Sequence, residues 1–133
     1  MQRRSSTVVL SYPNGDSYIA TKRSITENTM EFEGVGEIIA SRQLYYFDET
    51  NRKRIISVFV GKPQPAIDSR DYQCLFQLIG IGHQQPQVAR GYDSIQALQS
   101  ALILAAASLN HLNEKLGRSL LWDGGVKGEL GFP

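Results

Sequence analysis

The chain has 133 residues, of which 41% are hydrophobic and 20% are charged, and its formal net charge is +1. This length fits one domain, and the composition excludes disorder as the default state. The near-neutral charge argues against strong non-specific nucleic-acid binding, which needs clustered Lys and Arg. The single cysteine, Cys74, excludes an intrachain disulfide.

No apolar stretch reaches the roughly 20 residues that a membrane span needs, and the longest apolar run is 101–107. The basic N-terminus is followed by only a short apolar segment, unlike a signal peptide. We therefore expect a cytoplasmic protein with no membrane partner.

The first third of the chain predicts an N-terminal extension. Two β-rich segments, residues 7–12 and 17–20, flank Pro13-Asn14-Gly15-Asp16, a sequence suited to a hairpin turn. Residues 21–36 are polar, contain Gly34 and Gly36, and predict a loop. We expect one domain over residues 1–133, with 1–36 as a hairpin and loop extension and 37–133 as the core.

The middle of the chain predicts an antiparallel sheet. A polar turn at 48–53 and a segment at 62–65 with two prolines, which cannot donate to a ladder, separate its strands. Strands are predicted over residues 37–47, 54–60, 72–81 and 86–90.

The period then changes to that of a helix, predicted over about 94–116. Asp93 and Gln96 resemble a capping box, and Gly117 suits the end of the helix. Apolar positions spaced 3 and 4 apart predict one core-facing stripe: Ile95, Leu98, Leu102, Ala105, Leu109, Leu112 and Leu116. The fold class is thus α+β, an antiparallel sheet of four to six strands with one long C-terminal helix packed on one face.

Strand alternation gives the sheet two unlike faces. The face predicted to meet the helix is purely apolar and carries Ile56, Val58, Val60, Tyr72, Cys74, Phe76 and Leu78. The second face mixes aromatic and aliphatic side chains with Gln and Ser, which is typical of interfaces. Residues 1–36 or the C-terminal tail are one predicted cover for it, and a partner protein or second copy is the other.

The sequence contains only weak motifs for catalysis or for binding a nucleotide or metal ion. Gly34-Val35-Gly36 and Gly80-Ile81-Gly82 lack the third glycine and the helix of a nucleotide-binding loop, so they predict turns or strand kinks. His83 and His111 are the only histidines, and Cys74 lies on the apolar strand face. The sequence therefore predicts no catalytic, cofactor or metal site.

A basic triplet, Arg52-Lys53-Arg54, occupies the predicted hairpin tip, where it is either solvated or meets an acidic partner or phosphates. Together with the second face it gives the predicted partner-binding residues: Tyr45, Phe47, Arg52, Lys53, Arg54, Phe59 and Gln77.

From about residue 37 onward the chain resembles a family of small, uncharacterised bacterial domains. The segments that carry the resemblance are EIIASRQL (37–44), VFVGKPQP (58–65), Gly80-Ile81-Gly82, GYDSIQALQSAL (91–102), Leu121-Trp122 and Leu130-Gly131-Phe132-Pro133. Such a family has no assigned activity, so the resemblance implies a fold and no mechanism.

Four functions are compatible with the sequence. Size and composition favour a non-catalytic protein-binding module, in particular an immunity protein that blocks a toxin by binding it. The alternatives are a single-stranded nucleic-acid binder that stacks bases on Tyr45, Phe47 and Phe59, a subunit that self-associates through the open sheet face, and an enzyme with an unrecognised pocket.

Overall fold

The computed structural model describes residues 4–11, 17–26, 29–32, 34–82 and 85–133, with side chains from residue 34 onward. Over these residues the chain forms antiparallel strands followed by a single helix, which confirms the α+β class. The elements are β1 (Arg4–Ser11), β2 (Ser17–Thr26), β3 (Thr29–Phe32), β4 (Gly36–Phe47), β5 (Lys53–Gly61), β6 (Gln64–Pro65), β7 (Tyr72–Ile79), β8 (Gln87–Gly91) and α1 (Ser94–Lys115).

The core of the structure is a five-stranded antiparallel sheet, β4 to β8. β4 pairs with β5 along almost its whole length, β5 pairs with β7, and β8 and the two-residue β6 pair with β7. Proline does not prevent β6, because a strand this short requires no donor from Pro65 on its outer side.

Three further strands, β1 to β3, extend the sheet from the start of β4. The loop predicted over residues 21–36 is therefore wrong: 21–26 complete β2, and 29–32 form β3. Polar residues form these strands because the ladder is made by backbone groups, which any residue except proline supplies. The turn predicted at Pro13-Asn14-Gly15-Asp16 lies outside the described residues.

The sheet face predicted to meet the helix is buried, as expected. Ile56, Val58, Cys74, Phe76 and Leu78 are at most 1% exposed. α1 packs on β7 and β8, and the segment after α1 covers the neighbouring part of the same face, where Leu120 and Leu130 join the core.

The helix begins and ends where the sequence predicts. The Gln96 amide donates to the Asp93 side chain at 2.7 Å, and the Gln96 side chain accepts from the Tyr92 amide at 2.6 Å. Gly117 follows the helix with a positive φ of 66°, a conformation that glycine adopts without steric cost.

The buried face of α1 differs from the predicted one. Its fully buried residues are Ala97, Ala101, Ala105 and Leu109, spaced four apart. The predicted leucines Leu98, Leu102, Leu112 and Leu116 are half-buried along its flank. The prediction that Ile95 faces the core is wrong, because this residue is 67% exposed. The alanines face the sheet because their small side chains let the helix lie close to it. The approach is closest at Gly91, where an added Cβ would lie 2.3 Å from the Ala97 nitrogen.

The C-terminal segment is fastened to β4 by Arg42. Its Nη1 donates to the carbonyl oxygens of Leu130 and Gly131 at 2.8 and 2.9 Å. The guanidinium carbon lies 3.9 Å from the centroid of the Trp122 ring and 5.1 Å from that of Phe132. An arginine with donors in its plane and aromatic rings against its faces can make both kinds of contact at once.

Candidate protein-binding surface

The turn between β4 and β5 is ordered by one carboxylate. Asp48 Oδ1 accepts hydrogen bonds from the Thr50 amide, the Thr50 hydroxyl and the Arg52 amide at 2.7–2.9 Å, and Oδ2 accepts one from Arg54 Nε at 2.9 Å. The hydrogen bonds of the Arg52 amide and the Thr50 hydroxyl, followed by that of Arg54, hold the pKa of Asp48 well below its usual value. Asn51 adopts the left-handed conformation, with φ of 59°, which asparagine tolerates. The hairpin end is thus a rigid platform.

Three side chains next to this turn form a partly exposed cluster, which we call the hairpin aromatic cluster: Tyr45, Phe47 and Lys53. Phe47 is 53% exposed, and its ring meets that of the half-buried Tyr45 edge to face, with centroids 6.2 Å apart. Lys53 Nζ lies 4.3 Å from the centroid of the Tyr45 ring. The backbone of Tyr45 exchanges two 2.9 Å hydrogen bonds with that of Leu121, and β5 pairs along the other edge of β4.

A cleft of about 510 Å³ opens beside Phe47, between the hairpin and the end of α1. Its walls include Asp48 and Glu49 on the hairpin and Lys115 and Leu116 on the helix. Phe47 borders both the cluster and the cleft, whereas Tyr45 and Lys53 lie on the sheet face opposite α1. Charges of both signs lie at the rim of the cleft, so a partner side chain can enter it while a neighbouring side chain packs on Phe47.

The basic triplet does not act as one patch. Arg54 points to the helix side of the sheet and is bound to Asp48. Lys53 lies on the opposite face over Tyr45, and Arg52 is exposed in the turn. The sequence could not separate these roles, because it does not show which carboxylate accepts from which arginine.

The remaining predicted binding residues, Phe59 and Gln77, are half-buried and already have partners. They are neighbours on paired strands. Gly34 lies against Gln77: a Cβ built on it would lie 2.7 Å from Gln77 Oε1. Nearby on the same face, Ile55 is 7% exposed and Ser57 is 1% exposed. The second face is therefore partly closed, and its accessible part is the β4 side.

The residues considered for chemistry are placed as follows. His111 is exposed on α1, whereas His83 lies outside the described residues. Cys74 is fully buried, its thiol donates to the Gly61 carbonyl at 3.3 Å, and burial raises its pKa. In the described part of the chain, no three His, Cys, Asp or Glu side chains are grouped in a way that suits a metal ion.

The outer face of α1 is a surface that the sequence reasoning missed. Ile103 is 59% exposed and Leu104 45%, and no Asp, Glu, Lys or Arg occurs from Ser94 to Asn113. The absence of charge over twenty helical residues is the signal that could have identified this face. By length and composition alone, this helix of 22 residues is also long and apolar enough to cross a membrane, a test that the core helices of soluble proteins pass as well.

The comparisons with known proteins give a family and no relative of known function. No curated protein and no solved structure matches the chain. A family model matches residues 40–133, from the middle of β4 through the segment fastened by Arg42. The chain therefore belongs to the family described as Domain of unknown function (DUF6968).

Proposed function

We propose that this protein is a non-catalytic protein-binding module of the cytoplasm, and specifically an immunity-type protein that neutralises a bacterial toxin by binding it. One observation carries the proposal: Phe47, 53% exposed and supported by Tyr45, stands beside a turn that four hydrogen bonds to the Asp48 carboxylate hold in place. Aromatic anchors on a preorganised scaffold lose little conformational freedom on binding, so more of their contact energy becomes affinity.

The energetics of the cluster suit a binding site. A ring such as Phe47, when it fills a pocket on a partner, contributes ~2 kcal/mol or more, about a thirty-fold change in dissociation constant. Tyr45 supports the Phe47 ring edge to face, and Lys53 adds a cation beside it. Both the apolar contact and the charge therefore come from one end of one hairpin.

The nucleic-acid alternative finds less support in this geometry. It uses Tyr45, Phe47 and Phe59 as a stacking platform, but Phe59 lies on the half-closed part of the face. Asp48 and Glu49 next to Phe47 also repel phosphates. A protein partner tolerates both features.

The test is affinity capture from the host of origin with the unaltered chain, a Tyr45→Ala/Phe47→Ala variant and a Val126→Ala control. Val126 is 65% exposed and belongs neither to the cluster nor to the lining of the cleft, so Val126→Ala controls for the loss of an exposed apolar side chain at another position. We expect one protein to be captured by the unaltered chain and the control, with affinity reduced at least about thirty-fold in the double variant.

The captured protein is then expressed in cells with each variant. Protection of growth by the unaltered chain and the Val126 control, and its loss in the double variant, would support the immunity function. Equal capture by the double variant, or capture of nucleic acid alone, would refute the proposal. Thermal melts of all variants establish that each is folded.

A further inference from the structure

The outer face of α1 has the properties of a self-association surface. At its centre Ile103 and Leu104 are exposed side by side. Ser100 and Ala107 lie one turn to either side of them, and small residues at these positions let a second helix approach closely. In an exposed helix of a monomer, charged residues normally occupy the face that points to water.

We infer that this face binds the same face of a second copy, with the two α1 helices antiparallel about a two-fold axis between Ile103 and Leu104. A two-fold contact brings each residue against its counterpart across the axis. Positions equidistant from the midpoint then face each other, so Ser100 of one copy meets Ala107 of the other. A charged face would repel itself in this contact, whereas this face carries no charge between Ser94 and Asn113.

Charges at the two ends of α1 favour the antiparallel direction. Asp93 and the exposed ring of Tyr92 lie at the N-terminal end, and Lys115 lies at the C-terminal end. Glu114 is already paired with Arg118 of its own chain at 2.9 Å, which leaves Lys115 for the second copy. The antiparallel arrangement places Lys115 of one copy opposite the Tyr92 ring of the other, sets Asp93 opposite the Glu114–Arg118 ion pair, and also opposes the helix dipoles. A parallel arrangement would bring like charges together.

The size of the face sets the strength of the dimer. A helix of 22 residues is about 33 Å long and about 10 Å wide, a footprint of roughly 330 Å² on each copy. Stable complexes bury about 800 Å² on each partner. The footprint is less than half of this area, so the dimer is weak and forms only at high protein concentration. Its centre, Ile103 and Leu104, lies outside the hairpin aromatic cluster and the neighbouring cleft, and Lys115 alone of the named contact residues also lines that cleft. Substitution of Ile103 therefore tests the dimer independently of the proposed function.

The test is sedimentation equilibrium over a wide concentration range, with the monomer mass of 14.8 kDa as reference. The unaltered chain should approach twice this mass as concentration rises. Ile103→Glu should raise the dissociation constant about ten-fold or more, because two carboxylates meet at the axis, while its melt stays within about 2 °C of the unaltered chain. Val126→Glu, an equally exposed position elsewhere, should leave the dimer unchanged.

Two mixing experiments test the geometry. Ile103→Glu mixed with Ile103→Lys should associate again, since opposite charges then meet at the axis. Ser100→Cys mixed with Ala107→Cys should form a disulfide faster than either variant alone, as expected for antiparallel helices.

The inference is overturned if the unaltered chain stays monomeric at every concentration, or if Ile103→Glu leaves the dimer intact. It is also overturned if Ser100→Cys forms a disulfide faster alone than when mixed with Ala107→Cys, which is the result expected for parallel helices. Finally, sedimentation of the unaltered chain, but not of Ile103→Glu, with phosphatidylcholine–phosphatidylglycerol vesicles would assign the face to lipid instead.

Discussion

Replacing Arg42 with alanine should release the C-terminal segment from β4. The substitution removes two hydrogen bonds, to the carbonyl oxygens of Leu130 and Gly131, and the contact of the guanidinium with the Trp122 ring. It also leaves the Gly131 turn without its partner: this glycine has a φ of 73°, and a Cβ built on it would lie 2.8 Å from Arg42 Nη1.

The loss of unfolding free energy follows from these contacts. Hydrogen bonds to a charged group contribute ~1.5–3 kcal/mol each when buried, and we take ~1 kcal/mol each because one of these is part-buried and the other exposed. The cation–π contact with Trp122 adds ~0.5–1 kcal/mol. The sum is about 2.5–3 kcal/mol. At about 4 °C per kcal/mol for a chain of this size, the melting temperature should fall by about 10–12 °C.

Two measurements check this expectation. Urea denaturation gives the free energy of unfolding, and the fluorescence of Trp122, the only tryptophan, reports on the local structure. The free energy of unfolding of Arg42→Lys should lie between those of the unaltered chain and Arg42→Ala, because an ammonium keeps the charge but not the planar contact. Arg118→Ala, which removes an exposed ion pair, is the matched control and should cost under ~1 kcal/mol. A melt of Arg42→Ala within 2 °C of the unaltered chain, with unchanged fluorescence, would refute the reasoning.

Two further predictions concern the helix start and the hairpin turn. Gly91→Ala should lower the free energy of unfolding by ~2 kcal/mol or more, because the added Cβ would lie 2.3 Å from the Ala97 nitrogen. A thermal melt like that of the unaltered chain would contradict the close packing of α1 on β8. For Asp48 the folded pKa lies below the unfolded one, so its stabilisation is complete above the unfolded value of about 4 and is lost as the pH falls towards the folded pKa. The unaltered chain should therefore be more stable than Asp48→Asn at pH 7, with the difference shrinking below pH 4; a difference independent of pH in urea titrations would show that ionisation of Asp48 is not involved.

Strands with strong alternation could be predicted from the sequence because their side chains decide their burial. β4, β5 and β7 lie within two residues of their predicted bounds, and the apolar face of β5 and β7 is the buried one. β3 and the second half of β2 could not be predicted, since their pairing depends on backbone hydrogen bonds to each other and to β4. Such pairing leaves no pattern in polar residues.

The helix shows a second limit of pattern reasoning. α1 carries a leucine stripe and an alanine stripe at similar spacing, so the period predicts the helix but not its rotation. The rotation is decided by distance: the start of α1 lies close to β8 at Gly91, and the small, fully buried alanines turn towards the sheet. The same rotation exposes Ile95 and Ile103 and so produces the outer face.

The candidate binding site was only partly predictable for a similar reason. Tyr45, Phe47 and Lys53 lie together on one face, as alternation indicates. Arg54 and Gln77 were placed with them, but Arg54 belongs to the turn and Gln77 lies under Gly34. Which neighbour covers a strand face is a tertiary property, and one strand's sequence does not contain it.

The segments that carry the family resemblance lie at points where the fold is tightly constrained. Arg42 and Trp122 meet around the C-terminal segment. Gly61 accepts from the buried Cys74 thiol and lies against the Val35 carbonyl, and Gly91 lies against the start of α1. These contacts account for a shared fold.

Both proposed interaction surfaces lie just beyond those segments. The segment 37–44 ends immediately before Tyr45, and the segment 91–102 ends immediately before Ile103. A change at Phe47 or Ile103 alters an exposed side chain and costs little stability, whereas a change at Arg42 or Gly91 disturbs packing. Substitutions at such exposed positions can therefore change what the surface binds while the core is kept, and for that reason membership of the family specifies the architecture of this protein and does not specify a partner.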